Sequence, residues 1–401
     1  MMKLLTFTTL YPNAAMPRHG VFVENRLRHL LASGAATAHV IAPVPWFPFM
    51  NPRFGEYAAY AKAPRRELRH SIDVDHPRYP LLPKIGMTLS PLLLALAMRP
   101  VISRLLQRGE QFDVIDAHYF YPDGVAAILL GRWFNKPVVI TARGTDLNLI
   151  PQYLLPRKLI QWAAARAAGM ITVCQALKDV LVELGVPEER VTVLRNGVDL
   201  QQFQPPAERA ALRERLKIQG TTLLSVGHLI ERKGHDLVIA ALEHLPDTRL
   251  LIAGDGPEEV SLRALARARG VAARVAFLGA IKHDQLRDYY GAADILVLAS
   301  SREGWANVLL EAMACGTPVV ASNVWGTPEV VAVPEAGVLM RERTPAGLAD
   351  AVRALLADTP DRAATRRYAE KFSWEATTRG QLELFARIVG PRPVDAGSSR
   401  S

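Results

Sequence analysis

Residues 295–322 read ILVLASSREGWANVLLEAMACGTPVVAS. Ile295 to Leu298 is a short, wholly apolar run, the pattern of a strand buried on both faces. Glu303 and Gly304 fall in the loop behind it, where Gly304 permits a close backbone turn. Val308 to Ala314 reads as a helix, and Val319 to Ala321 as the next strand. Strand, loop, helix and strand in that order make a parallel crossover unit.

The same rhythm runs outward in both directions. Upstream in the second half, strand-like runs occur at Leu223 to Val226, Leu250 to Ala253 and Val275 to Leu278; downstream, Val338 to Met340 follows. In the first half they occur at Leu4 to Thr9, His39 to Ala42, Val114 to Ala117, Val138 to Thr141, Met170 to Val173 and Val191 to Leu194. Helix-period segments separate most of them, so each half predicts a doubly wound parallel sheet, with Pro205-Pro206 as the break. Such sheets bind ligands beyond the carboxyl ends of their strands, which is where the motifs cluster.

Length and composition agree with this. A chain of 401 residues, 49% hydrophobic and 22% charged, is globular and long enough for two cores. Cys174 and Cys315 are its only cysteines, which excludes a disulfide framework and points to the cytoplasmic side. The opening MMKLLTFTTLY resembles a secretory leader, but threonines break its apolar run and Tyr11-Pro12 closes it, so a first strand is expected. The segment 85–98, IGMTLSPLLLALAM, is interrupted by Ser90-Pro91 and falls short of the roughly 20 residues a membrane span needs. Net charge is +9, and its distribution is lopsided: residues 1–200 carry 23 lysines and arginines against 15 acids, residues 201–401 carry 25 against 24. The basic half points to an anionic partner, whether phosphate-bearing substrate, lipid or nucleic acid, or is simply a basic surface.

Within 295–322 the chemistry suits a nucleotide. The first amides of the helix, around Asn307 and Val308, form a ready site for a diphosphate. Glu311, eight residues after Glu303, can accept hydrogen bonds from the paired hydroxyls of a ribose, and Glu303 from those of a sugar. Each glutamate alone is equally an ordinary helical acid.

Together, the Glu-Gly opening, the second glutamate eight positions on and EAMACGTPVVAS resemble the donor-site signature of the family 4 retaining glycosyltransferases. The likeness extends from YPNAAMPRHGVFVENRLRHL through RNGVD, SVGHLIERKGHDLVIAAL and AGDGPE to the terminal helices. It implies the α/β GT-B fold, two facing Rossmann-like doubly wound domains with a deep cleft between them. Residues 1–203 would form an acceptor-side domain with an insert at about 45–108, residues 204–372 the domain that binds the nucleotide-sugar, 373–390 a helix packing back toward the first domain, and 391–401 a flexible tail. The lysine of GHLIERKG that contacts the donor diphosphate in the family maps to Lys233, with Arg232 as its helper; His228 departs from the arginine common there. Gly20 resembles the glycine that lets backbone approach the donor phosphates, and His118 the active-site histidine. TARGTD, residues 141–146, stands where a His-Gly-x-Asp loop is usual: Gly144 and Asp146 match, and Arg143 replaces the histidine.

The resemblance thus implies a metal-independent enzyme without a cofactor. Its donor would be a UDP- or GDP-linked sugar, its acceptor a glycan or a polyprenyl- or other lipid-linked molecule, in bacterial envelope or exopolysaccharide assembly. A nucleotide-sugar epimerase of the same fold and a silent nucleotide-sugar-binding protein are the alternatives. No nucleic-acid module accompanies Trp46, Phe47, Phe49 and Arg53, so no nucleic-acid partner is expected. Asp73-Val74-Asp75 reads as a solvated loop and Gly254-Asp255-Gly256 as a loop by the cleft. The insert joins Trp46, Phe47, Phe49, Arg65, Arg66, Arg69 and the apolar Leu92 to Met98, a mixture suited to docking peripherally on an anionic membrane at its inner face; a buried helix at 92–98 is the competing reading.

Overall fold

The computed structural model describes residues 1–81 and 86–390. The tail at 391–401 and the start of the 85–98 segment lie outside the described residues. The chain divides into two units. The first comprises Met1–Val173, Lys178–Leu194 and the chain from Glu375; the second comprises Cys174–Leu177 and Arg195–Trp374. The crossing at Leu194 precedes the Pro205-Pro206 break because Arg195 and Asn196 bond to residues of the second unit.

In the first unit the strands are β1 (Met2–Phe7), β2 (Ala36–Ile41), a short β3 (Val44–Pro45) paired with β6 (Arg78–Tyr79), the hairpin β4 (Arg66–Arg69) and β5 (Ile72–Asp75), then β7 (Val114–His118), β8 (Val138–Ala142), β9 (Gly169–Thr172) and β10 (Val191–Val193). The main sheet runs β10-β9-β8-β7-β1-β2-β5-β4, parallel except for the β4–β5 pair at its edge. β1 lies at its centre, so the leader-like opening is indeed a strand. The β4–β5 hairpin corrects the solvated loop expected at Asp73 to Asp75: its alternating IDVD buries Ile72 and Val74 and turns the aspartates outward toward Arg66 and His39. The helix Trp374–Val389 buries Leu384 and Phe385 in this unit's core.

The helix Gly86–Gln107 corrects the break expected at Ser90-Pro91. Proline's fixed φ is helical, while its missing N–H removes one ladder bond. Full burial of Leu94, Ala95, Met98 and Ile102 offsets that loss. The stretch Thr88–Gln107 is long and apolar enough to cross a membrane, yet this face of it belongs to the protein core.

The second unit holds β11 (Thr221–Val226), β12 (Thr248–Ala253), β13 (Val275–Gly279), β14 (Ile295–Leu298), β15 (Val319–Ser322) and β16 (Gly337–Met340), all parallel in the order β13-β12-β11-β14-β15-β16. This is the doubly wound dinucleotide-type order, whose switch point lies between β11 and β14. The loops that follow those two strands are the ones that carry GHLIERKG and SSREGWAN.

Candidate active site

In the second unit the switch point brings three of the expected residues, Arg232, Lys233 and Glu303, together. Gly234 ends the loop after β11 with φ +68°, and a β-carbon there would stand 2.1 Å from the Ala299 carbonyl oxygen just beyond β14. Only glycine tolerates both the left-handed turn and that approach. The contact seats one loop on the other: the Ser301 amide donates to the Arg232 carbonyl at 2.8 Å, and Arg232 Nη1 donates to the Arg302 carbonyl at 2.8 Å. Lys233 Nζ then meets Glu303 Oε1 at 2.7 Å, with Arg232 Nη1 3.8 Å from Oε2. Burial raises the pKa of Glu303, but the two cations outweigh it and hold the carboxyl below its ordinary value.

Behind Glu303, Trp305 is buried and its indole nitrogen donates to the Asn196 carbonyl at 3.0 Å. The helix Asn307–Ala314 starts here, and Ala306 before it offers no side-chain cap to the first amides. Asn307 Oδ1 instead accepts from Asn196 Nδ2 at 3.4 Å. Val308 opens the first turn beside it. Glu311, a turn further in, is buried and accepts from Tyr290 Oη at 2.8 Å and from His283 Nε2 at 3.0 Å. Burial opposes the charged form of His283, yet Glu311 prevails and raises the histidine's pKa. His228 is about half exposed, with Nδ1 3.9 Å from Asp255 Oδ1.

The first unit builds a separate polar cluster on β7 and β8. Asp116 and His118 are two apart on β7 and share a face. His118 Nε2 lies 3.2 Å from Asp116 Oδ2, and Arg143 Nη2 lies 2.6 Å from His118 Nδ1. A guanidinium only donates, so Nδ1 accepts and the ring proton sits on Nε2, facing the carboxylate. Burial drives the His118 pKa down to about 4, partly opposed by Asp116 and reinforced by Arg143. Burial raises the pKa of Asp116, but the His118 hydrogen bond and charge and the Arg26 and Arg143 charges lower it by more, for a net downward shift. Gln381 of the terminal helix bridges the pair to Arg26, donating to Asp116 Oδ2 at 3.3 Å and accepting from Arg26 Nε at 3.0 Å. Asp146 is also buried, and its carboxylate accepts the amides of Phe120 at 2.7 Å, Gly144 at 2.7 Å and Arg143 at 3.1 Å. It therefore fixes the loop that presents Arg143. Gly20 opens the helix Val21–Ala32 with φ +70°, and a β-carbon there would sit 2.3 Å from the Leu10 carbonyl group.

Sequence reasoning did not single out Asp116, Arg26, Gln381, His283 or Tyr290. The period-two spacing to His118 was the one signal for Asp116. Gln381 and Tyr290 reach their partners across more than 20 residues of sequence and carry no local pattern. Among the described residues no group of three or more histidines, cysteines or acids is placed to hold a metal ion.

Two family models match the chain: Glycosyltransferase Family 4 over residues 20–202 and Glycosyl transferases group 1 over residues 208–372. A D-inositol 3-phosphate glycosyltransferase of Xylanimonas cellulosilytica is 34% identical, over 71% of this chain and 74% of its own. The chain belongs to the family 4 glycosyltransferases. A putative teichuronic acid biosynthesis glycosyltransferase of Bacillus subtilis is 29% identical to this glycosyltransferase, over 88% of both chains. Among solved structures, sucrose-phosphate synthase from Thermosynechococcus elongatus superimposes with a TM-score of 0.79 at 22% identity, covering 97% of this chain and 99% of that one. HepE of Anabaena in complex with UDP gives a TM-score of 0.73 at 21% identity, covering 96% and 100%. Both likenesses bear on the fold, which is GT-B.

Proposed function

We propose that this glycosyltransferase is retaining and metal-independent, and moves a sugar from a UDP- or GDP-linked donor to a hydroxyl of a glycan or lipid-linked acceptor. The observation that carries the reading is the joining of Lys233, Arg232 and Glu303 beside the uncapped first turn at Asn307 and Val308. Negative charge grows on the departing diphosphate as the glycosidic bond breaks. Two fixed cations and a row of helix amides aimed at it favour the transition state over the bound donor. Glu303 orients Lys233 and holds the sugar hydroxyls, and Glu311 holds the ribose. A UDP complex of a structural neighbour is in keeping with such a donor.

In the first unit, His118 is a neutral imidazole of fixed tautomer, and with Arg143 and Asp146 it is assigned to the reacting sugar and the acceptor. No step calls for a cofactor or a covalent intermediate, and attack on the face the leaving group departs from accounts for retention. The enzyme works in bacterial cell-envelope or exopolysaccharide assembly, on the cytoplasmic side and peripherally at the inner membrane face.

The test is nucleoside diphosphate release from a panel of uridine- and guanosine-linked sugars, with and without a crude lipid-linked acceptor extract, in the parent and in Glu311→Ala. Acceptor-dependent release that falls at least about tenfold in the variant, roughly 1.4 kcal/mol, is expected. Donor binding without acceptor-dependent release overturns the transferase reading, and an isomerised sugar would then identify an epimerase.

A further inference from the structure

The three helices Gly86–Gln107, Val125–Phe134 and Leu154–Arg166 of the first unit pack against one another as a layer. Their sequences, GMTLSPLLLALAMRPVISRLLQ, VAAILLGRWF and LLPRKLIQWAAAR, contain no aspartate or glutamate. They contain six cations, Arg99, Arg104, Arg132, Arg157, Lys158 and Arg166, all exposed. None of the six takes part in an ion pair among the described residues. Asp123, just before the second helix, is buried against Thr8 and Thr9, and Glu110, just after the first, is paired with His39.

The same layer exposes Leu89, Leu92, Leu96, Trp133, Leu154 and Leu155. The first three recur at helical spacing on the side opposite the buried Leu94, Ala95, Met98 and Ile102. The 92–98 segment is thus neither wholly core nor wholly surface: it divides lengthwise. Among the large exposed apolar residues described in the whole chain, all but Val260 and Leu356 belong to the first unit. By contrast, the insert's Arg66 and Arg69 are engaged with Asp73 and Glu24, which moves the available positive charge from the insert's hairpin to the helix layer.

We infer that the outward face of this three-helix layer docks on an anionic lipid bilayer. Exposed leucines interleaved with cations that have no acidic partner are the composition of a surface that lies in the interface plane: the apolar side chains enter the acyl boundary and the cations meet lipid phosphates. A second copy of the chain does not fit, since a face-to-face pair would oppose six cations with six and supply no counter-charge. Nucleic acid fits less well, because aliphatic side chains give bases nothing to stack on and the Trp133 ring is already covered by the Arg99 guanidinium at 5.3 Å. The helix Gly86–Gln107 lies along the membrane rather than across it, because its inner face is committed to the core. The inference deepens the proposed reaction by holding the enzyme where a lipid-linked acceptor is found.

The experiment is co-sedimentation of the full chain with vesicles of phosphatidylcholine alone and with about a third phosphatidylglycerol, at low and high salt. Recovery confined to anionic vesicles and lost in salt is expected. Arg132→Gln with Lys158→Gln should weaken it by about fivefold per cation. Leu92→Gln with Leu96→Gln should weaken it at least about tenfold. Either pair can fail to fold, so thermal melts accompany both and the folded pair decides. Equal recovery on neutral vesicles, insensitivity to salt, or unchanged recovery in a folded variant overturns the inference, as does binding of duplex DNA through the same residues without vesicle binding. A protein that transfers sugar but ignores vesicles refutes only the docking; one that docks but never transfers refutes only the reaction.

Discussion

Lys233 Nζ donates to Glu303 Oε1 at 2.7 Å, and the two residues come from the loops that follow neighbouring strands at the switch point of the second unit. On the proposed reading the pair joins the cation assigned to the diphosphate to the carboxylate assigned to the sugar, so loss of one member should disturb both ends of a bound donor. Lys233→Ala should lower nucleoside diphosphate release about a hundredfold or more. It should also cost about 2–3 kcal/mol of stability, because the more distant Arg232 is then the one cation left beside the buried Glu303 carboxylate. The folded carboxyl lies below its ordinary 4.5, so its contribution is complete above that pH and is lost as pH falls through the lower folded value. The melting-temperature gap between parent and variant should therefore be widest near neutrality and close in acid. A gap independent of pH would disprove the coupling.

In the first unit, His118 should remain neutral until the pH approaches about 4. Its folded pKa lies below the ordinary 6.5, so the unfolded chain binds more protons between those values and stability should fall as pH drops through that window, by up to about 3 kcal/mol from this residue. Arg143→Met removes a donor to Nδ1 and an opposing cation while leaving Asp116 in place, so the histidine's pKa should rise. Titration of the His118 ring signals by NMR reads this directly, and an unchanged midpoint in the variant would refute the assigned contact.

Much of this arrangement was legible in the sequence, for a physical reason. Strands buried on both faces are written as short apolar runs, and residues that end them announce the loops where ligands bind, which is why Glu303 and Glu311 could be singled out from their positions after β14, while Lys233 came from the family likeness of the loop after β11. What escaped is what long-range packing decides. Arg143 acquires its role only when β7 and β8 pair and set it against His118. Gln381 reaches Asp116 from the opposite end of the chain. Pro91 read as a break because its missing N–H is a local cost, whereas the burial that compensates it is not local. The Asp73–Asp75 strand was lost in the same way, since an edge hairpin of four-residue strands gives too short a period to register.

Gly234 tests the seat of the donor loop without touching a charge. Gly234→Ala forces a methyl group to 2.1 Å from the Ala299 carbonyl oxygen and places a side chain at φ +68°. The left-handed backbone alone costs about 1–2 kcal/mol, and the displaced loop carries Lys233 with it. Donor affinity should fall at least about tenfold together with the melting temperature. Gly185→Ala serves as the control: it also has positive φ but has nothing within 4 Å, so it should lower stability with donor affinity intact.

Tyr290 offers a cleaner probe of the ribose contact proposed for Glu311, because it acts through that glutamate from a fully buried position. Burial, followed by the neighbouring carboxylate, drives the phenol's pKa well above its ordinary value, so the hydroxyl is a permanent donor at any working pH. Tyr290→Phe leaves Glu311 with His283 as its remaining side-chain donor and costs about 1 kcal/mol of stability. If Glu311 grips the ribose equally in the bound donor and in the transition state, KM for the donor should rise about three- to tenfold while kcat stays within about twofold. A fall in kcat with KM unchanged would instead assign Glu311 to the reacting sugar and leave the ribose to other groups.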